Sequence, residues 1–339
     1  MRKRQGESII QIRFNIIIVV YNVEQYLEKC INTVLPALEK SDEIILSLGS
    51  STDKSTEISQ RYAVENSNIK LIFQNGKGLS NARNCALQKA TGDFILFVDS
   101  DDFVDTEALK KLLGKIRSRE YEADIIITDF YRYSDFLHKS IWVKQIGNRN
   151  LSGLEAFSLA ATKRQSFWNV WRCVYRRTFL EKNQIYFKEN TYAEDIDFTI
   201  RVFLASPQVL FTYPPYYYYR VGREGSLMNH TGYDRVNQTV TILKESIERL
   251  RNSKAIWFQV AMERLQYEYI LNFALLKELP IHQQKEAVQL FTDYRYILTP
   301  TSDPMVIAVR GFIKLMGIEA TAQLLAFAKR FKRKYEHRS

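Results

Sequence analysis

The sequence is poor in the residues that punctuate or staple a chain. Gly (13) and Pro (7) are scarce in 339 residues, which excludes collagen-like and linker-dominated architectures. The three cysteines, Cys30, Cys85 and Cys173, stand far apart. They form neither a disulfide framework nor a zinc spacing, and they favour a reducing, cytoplasmic compartment. Four scattered histidines offer no His-based metal site. Long apolar runs are missing too. No stretch approaches the ~20 residues of a membrane helix, and Asn272 interrupts the longest apolar patch of the second half, Tyr269–Leu276. The run Ile16–Val20 behind Met1-Arg2-Lys3-Arg4 is too short for a signal-peptide core. The chain reads as soluble or peripheral. Nucleotide and hydrolase templates are also absent: Asn81 stands where a third glycine would complete Gly76-Lys77-Gly78, and there is no phosphate loop and no nucleophile elbow.

What is there is apolar and aromatic: 46% hydrophobic residues, with 20 Tyr, 20 Phe and 4 Trp. This length and composition support a sizeable core and two domains, or one with a large appendage. The net charge of +10 suggests nucleic acid until it is located. Residues 1–14 carry +3 and residues 329–339 carry +5, so the body carries only +2. A nucleic-acid groove needs basic residues spread over a face of the body; basic tails suit an anionic membrane surface or plain solvent.

Over the first 130 residues, strand and helix signals alternate. Strands are expected at Ile16–Val20, Glu43–Leu48, Ile69–Phe73, Phe94–Val98 and Asp124–Thr128. Helices are expected at Val23–Leu38, Thr52–Glu65, Leu79–Ala90 and Thr106–Ser118. Alternation of this kind predicts an α/β fold with a mostly parallel sheet covered by helices, and ligands bind beyond the carboxyl ends of such strands. Tyr21-Asn22, Leu48–Asp53 and Asp99–Asp102 fall on that rim. From about residue 234, helical patterns dominate. The spacing of Phe312, Leu315, Met316, Ala320, Leu324, Phe327 and Phe331 predicts an amphipathic helix with a cationic end, either packed on the body or lying on a surface.

Two acidic clusters could carry chemistry. Asp99-Ser100-Asp101-Asp102 follows a buried strand; such crowded carboxylates repel one another, and a divalent cation with hard oxygen ligands relieves this. Asp99 and Asp101 are the metal candidates, while Asp102 or Asp105 can instead cap the helix from Thr106. Glu194-Asp195 opens a further helical segment, where a carboxylate stays ionised and can act as a general base or as a cap. Arg220, Arg223 and Ser226, after the run Tyr216–Tyr219, suit an anionic oxygen site or a surface loop.

In order along residues 14–230, several segments together resemble the family 2 inverting glycosyltransferases of the GT-A fold. They are Ile16–Asn22, Ser51–Ser55, Gly78–Asn84, Thr91–Asp102, Phe167-Trp168-Asn169, Tyr175–Leu180, Glu194–Phe198 and Tyr218-Tyr219-Arg220. The resemblance implies a GT-A domain over 14–230, with a nucleotide-sugar half (14–105) and an acceptor half (106–230), followed by a helical region over 234–339. It implies that Tyr21 lies against the base, that Asn22 and Asp53 belong to the donor site, and that Gly78 to Arg83 line the donor pocket. Asp99 and Asp101 would bind metal and sugar nucleotide, with Mn²⁺ or Mg²⁺ as cofactor. Asp195 would be the catalytic base, oriented by Glu194. Trp168 would face an acceptor sugar, and Arg220 and Arg223 would contact the diphosphate. Two positions depart from the pattern of the family: Val19 replaces a proline, and Leu48-Gly49 stands where relatives carry two acids, which implies a different base contact or a weaker donor site. The expected activity is transfer of a hexose or N-acetylhexosamine, from UDP-sugar foremost, to a glycan or lipid-linked glycan at the inner face of the plasma membrane. The rival expectation is a basic nucleic-acid-binding or adaptor protein.

Overall fold

The computed structural model describes residues 11–143, 146–162, 168–222, 232–252 and 258–336. The strands, in chain order, are β1 (Phe14–Val20), β2 (Glu43–Leu48), β3 (Ile69–Phe73), β4 (Phe94–Asp99), β5 (Phe103–Val104), β6 (Ile125–Ser134), β7 (Lys139–Val143), β8 (Arg149–Leu151), β9 (Cys173–Arg176) and β10 (Val209–Val221). The helices are α1 (Leu27–Val34), α2 (Ser55–Glu65), α3 (Gly78–Lys89), α4 (Thr106–Arg117), α5 (Gly153–Thr162), α6 (Arg177–Lys182), α7 (Glu194–Ala205), α8 (Tyr233–Asn252), α9 (Phe258–Phe273), α10 (Ile281–Asp293) and α11 (Pro304–Glu336).

The chain forms two compact units. One comprises Met1–Ser152, Asn169–Tyr186 and Ala205–Val221; the other comprises Gly153–Trp168, Phe187–Leu204 and Gly222–Ser339. The first holds one sheet in the order β3-β2-β1-β4-β9-β6-β10-β5, with β7 paired to β6 and β8 to β10. Strands β1 to β4 run parallel. Strand β9 is antiparallel to both β4 and β6, and β6 is parallel to β10. Most strands therefore end on the same side, as the alternating pattern predicts. Strand β1 sits between β2 and β4 and is almost wholly buried, which is why it reads as an unbroken β-branched run.

Local sequence sets the helix limits. Asp105 accepts the amide of Ala108 at 2.9 Å and caps α4, whose buried Leu109, Leu112, Leu113 and Ile116 repeat at helical spacing. Helix α1 buries Leu27, Cys30, Ile31 and Val34, and tightens into a 3₁₀ turn at Leu35–Ala37, where Pro36 stands.

The second unit is helical; besides the expected helical C-terminal region it takes in Gly153–Trp168 and Phe187–Leu204, which the resemblance groups with residues 14–230. Helix α11 is broken at Gly317, whose φ of 81° and ψ of 174° leave the helical region. The apolar repeat over 312–331 is therefore interrupted rather than continuous; a glycine adopts this left-handed backbone without a Cβ penalty. Among the described residues no helix is long and apolar enough to cross a membrane.

Candidate active site

The loops that follow the carboxyl ends of β1 and β2 are wired together. After β1, Asn22 takes a left-handed conformation (φ 51°), which an asparagine tolerates. Its Oδ1 accepts the Thr52 amide at 2.8 Å and its own amide donates to Ser51 Oγ at 3.2 Å. Asp53 accepts the amides of Glu24 and Ser55, each at 3.0 Å, while Glu24 accepts the amide of Lys54 at 2.9 Å. Burial opposes ionisation of Asp53, but the bonds from Ser55 and Glu24 hold its carboxyl below the ordinary range. Asn22 and Asp53 thus join the loop after β1 to the loop after β2. Tyr21, 56% exposed, projects from this join. Its ring lies over Gly49, where an added Cβ would sit 3.1 Å from Tyr21 Cδ2. The absence of a side chain at Gly49 gives the tyrosine ring its seat.

Gly78 opens α3 with φ of 85°. From the second turn of that helix the buried Arg83 reaches Asp99 at the end of β4, with Nη2 3.1 Å from Oδ1. Asp99 keeps 29% of its side chain exposed, and Asp101 is half-buried.

Asp102 has a different environment. It is fully buried, accepting the Tyr217 hydroxyl at 2.8 Å and the Arg220 amide at 2.7 Å. The Tyr217 oxygen also accepts the Asp99 amide at 3.0 Å. The Arg220 guanidinium, buried to 4%, donates through Nε to the Asp101 carbonyl at 2.6 Å and pairs with Asp135. The acidic loop is therefore held from beneath by β10. The choice left open by the sequence resolves: Asp105 caps α4, and Asp102 anchors the loop.

The carboxylates of the loop act on one another and on their neighbours. Burial first, then Asp101 and Asp99, push the Asp102 carboxyl well above its usual range. Burial, then Asp102, Asp99 and Asp101, push the Tyr219 phenol up to about 12. The buried Cys30 thiol is raised by the same sources. Among the described residues no three His, Cys, Asp or Glu gather into a metal cage. Asp99 and Asp101 supply hard oxygen ligands that suit Mg²⁺ or Mn²⁺ when other oxygens complete the shell.

Glu194 and Asp195 lie in the second unit, half-buried in the first turn of α7. The residue before them, Ala193, has φ of 61°, a left-handed backbone that costs an alanine about 1–2 kcal/mol. Asp195 Oδ1 accepts the Ile196 amide at 2.9 Å. The buried neighbour Asp197 is the anchor of this turn, bonded to Arg201 Nη2 at 2.6 Å and 3.8 Å from Arg249. Trp168, also in the second unit, is 8% exposed. Its indole donates to Glu268 at 2.8 Å, and Arg264 bonds the same carboxylate at 2.6 Å. The expected sugar-facing ring is thus packed on protein atoms. Arg223, Ser226 and Phe167 lie outside the described residues, as do both chain ends.

Sequence reasoning expected Tyr21, Asn22, Asp53, Asp99 and Asp101 on one rim, and the resemblance added Arg83, which the structure pairs with Asp99. It missed Tyr217 and Asp135, whose partners are 115 and 85 residues away. The only signal available for Tyr217 was its place in an aromatic run.

Residues 15–187 match Glycosyl transferase family 2. The chain belongs to this family. It is 27% identical over 319 residues to glycosyltransferase GlyA of Streptococcus pneumoniae, covering 85% of this chain and 45% of GlyA, so it spans less than half of that relative's length. It is 31% identical over 248 residues to the cholesterol galactosyltransferase of Borreliella burgdorferi, covering 68% of each. The crystal structure of S. aureus TarS 1–349 in complex with UDP-GlcNAc superposes with a TM-score of 0.71 at 21% identity, over 94% of this chain and 92% of that one. The shared architecture is the GT-A-like fold: a sheet flanked by helices and followed by a helical region.

Proposed function

We propose that the chain is a metal-dependent inverting glycosyltransferase. It moves a hexose or N-acetylhexosamine from a nucleoside diphosphate sugar, UDP-linked foremost, to a hydroxyl of a glycan or lipid-linked glycan in bacterial glycan assembly. The observation that carries this is the anchored acidic loop: Asp102 is buried and bonded to Tyr217 and Arg220, while Asp99 and Asp101 keep access to solvent at the end of β4. The UDP-GlcNAc bound to TarS supports the donor class.

In this reading Tyr21 stacks on the base over Gly49, and Asn22 and Asp53 fix that platform. Gly78 opens the donor pocket and Arg83 orients Asp99. Asp99 and Asp101 would hold Mn²⁺ or Mg²⁺, which would supply charge neutralisation at the leaving diphosphate. Arg220 and Arg223 belong to the diphosphate side, Arg220 by fixing the Asp101 carbonyl. Asp195 takes the acceptor proton with Glu194 orienting it, and Trp168 shapes the acceptor side from within. Single displacement converts an α-linked donor to a β-linked product. The catalytic region is 14–230, and 234–339 is its helical extension. The basic tails, with the exposed Ile307, Leu315 and Phe327 of α11, favour a peripheral position on an anionic membrane.

The test is a panel of sugar nucleotides scored for hydrolysis and transfer with and without Mn²⁺, alongside melting with UDP. A UDP-induced rise in Tm that requires Mn²⁺ supports the reading. Tight oligonucleotide binding with no nucleotide-sugar turnover sinks it in favour of a nucleic-acid-binding role.

A further inference from the structure

The hairpin of β6 and β7 ends in an apolar tip that the transfer chemistry does not use. Phe136 is 92% exposed and Leu137 64%; on β7, Ile141 is 58% exposed and Trp142 44%. Phe136 and Leu137 at the turn and Ile141 on one face of β7 form the kind of patch that marks a contact surface; Trp142 lies on the opposite face, its indole donating to Asp129 at 2.9 Å. The turn is ordered by its own bonds: Ser134 Oγ accepts the Leu137 amide at 3.3 Å, and the His138 amide donates to the Asp135 carbonyl at 3.4 Å. Below it, Tyr131 stacks on Tyr218 at 4.7 Å and Tyr133 meets Phe103 edge-on at 5.0 Å. A tip fixed in this way loses little conformational freedom when it binds.

Charge decides the occupant. The acid of the tip, Asp135, is paired to the buried Arg220. Arg132 and Lys139, both exposed on the flanks, make no ion pair among the described residues. The tip is therefore apolar at its end and positive at its shoulders. This is the distribution of a segment that seats apolar side chains at the acyl boundary and basic ones among anionic headgroups. We propose that the β6–β7 hairpin docks the sheet unit on an anionic lipid bilayer. The hairpin is continuous with the site: Asp135 holds Arg220, and Arg220 holds the Asp101 carbonyl at 2.6 Å. The proposal takes its purpose from the lipid-linked acceptor reading above, but its binding is measured without any transfer.

The experiment is co-sedimentation of the full chain with phosphatidylcholine vesicles, with and without phosphatidylglycerol. Binding should require phosphatidylglycerol and weaken with salt. F136S/L137S should partition roughly tenfold or more weakly, since each side chain forfeits apolar burial, while donor hydrolysis in solution and Tm stay at wild-type values. R132Q/K139Q should lose mainly the salt-sensitive part. F136W should be quenched by brominated lipid. The proposal is overturned if F136S/L137S binds as wild type, if F136W is not quenched, or if deletion of 329–339 alone abolishes binding. It is overturned equally if the tip substitutions convert a dimer to a monomer without changing vesicle binding, which would make the surface a contact between copies. Loss of hydrolysis in the wild-type chain would instead count against the glycosyltransferase reading and leave the vesicle result standing.

Discussion

The Tyr217 hydroxyl is 2.8 Å from Asp102 Oδ2, joining two residues that are 115 positions apart. The same oxygen accepts the amide of Asp99 at 3.0 Å. One phenol thus fixes both ends of the acidic loop, from a strand that is otherwise an aromatic layer: Trp171 stacks on Tyr217 at 4.3 Å and on Tyr219 at 5.2 Å.

Tyr217→Phe should cost about 1–3 kcal/mol, because it leaves a buried acceptor and a buried amide without their partner. Donor affinity should fall as well, since Asp99 and Asp101 lose their support. Chemical denaturation and UDP titration check both effects. Unchanged affinity beside lowered stability would show that the phenol serves the fold and not the site.

Asp101→Asn should leave Tm near wild type and lower turnover by roughly 10²-fold or more, the scale of losing an electrostatic stabiliser of transition-state charge. Transfer is to be measured over a Mn²⁺ titration at saturating donor. Wild-type turnover would remove Asp101 from the metal assignment.

Much of this arrangement is legible in the chain, and the reason is local. Glu43–Leu48 and Ile69–Phe73 coincide with β2 and β3: β2 is buried and β3 is a half-exposed edge strand, yet each is a short apolar run between turn residues. Asp99 and Asp101 are visible because their crowding is a feature of four consecutive residues. Asp102 is ambiguous in the sequence, since capping and anchoring ask for the same side chain, and only the position of Tyr217 separates them. Strands β5, β7, β8 and β9 have two to five residues each; they are set by tertiary pairing and leave little periodicity to read. The partner of the buried Trp168 indole is Glu268, 100 residues later.

Gly49→Ala should disturb the base platform and little else. The new Cβ would meet Tyr21 Cδ2 at 3.1 Å, and the exposed ring can swing aside at small cost. Stability should hold, while affinity for UDP weakens by roughly two- to tenfold, equivalent to about 0.4–1.4 kcal/mol. Calorimetry with UDP, CDP and GDP reads this directly. Equal affinities in variant and wild type would take Tyr21 out of base recognition.

Asp53 makes the stability of the loop pair depend on acid. Its folded carboxyl is held below the ordinary range by Ser55 and Glu24. Its contribution is therefore complete above the unfolded carboxylate pKa and is lost as pH falls through the lower folded value. Asp53→Asn should flatten the acid limb of a Tm-against-pH curve while leaving neutral and alkaline pH slopes alone. An unchanged acid limb would place that sensitivity in other carboxylates.

Asp195→Asn is the sharpest test of the chemistry. Glu194 and Asp195 both sit half-buried in the first turn of α7, and successive helical side chains point about 100° apart, so one of them suits the role of base better than the other. Asp197 is excluded, being buried and tied to Arg201 and Arg249. The left-handed Ala193 just before the pair sets the entry of the chain into the helix at an energetic cost, and such strain is common where a side chain must be aimed. Asparagine keeps the size of the carboxylate and its acceptor toward the Ile196 amide, but it has no basicity. Turnover should fall by about 10²–10⁴-fold, with donor affinity nearly unchanged because the base meets the acceptor rather than the nucleotide. Glu194→Gln should be milder. Single-turnover transfer and UDP-sugar binding are to be measured on both variants. Near wild-type transfer by Asp195→Asn, or a loss of UDP binding as deep as that of Asp101→Asn, would remove Asp195 from the role of base.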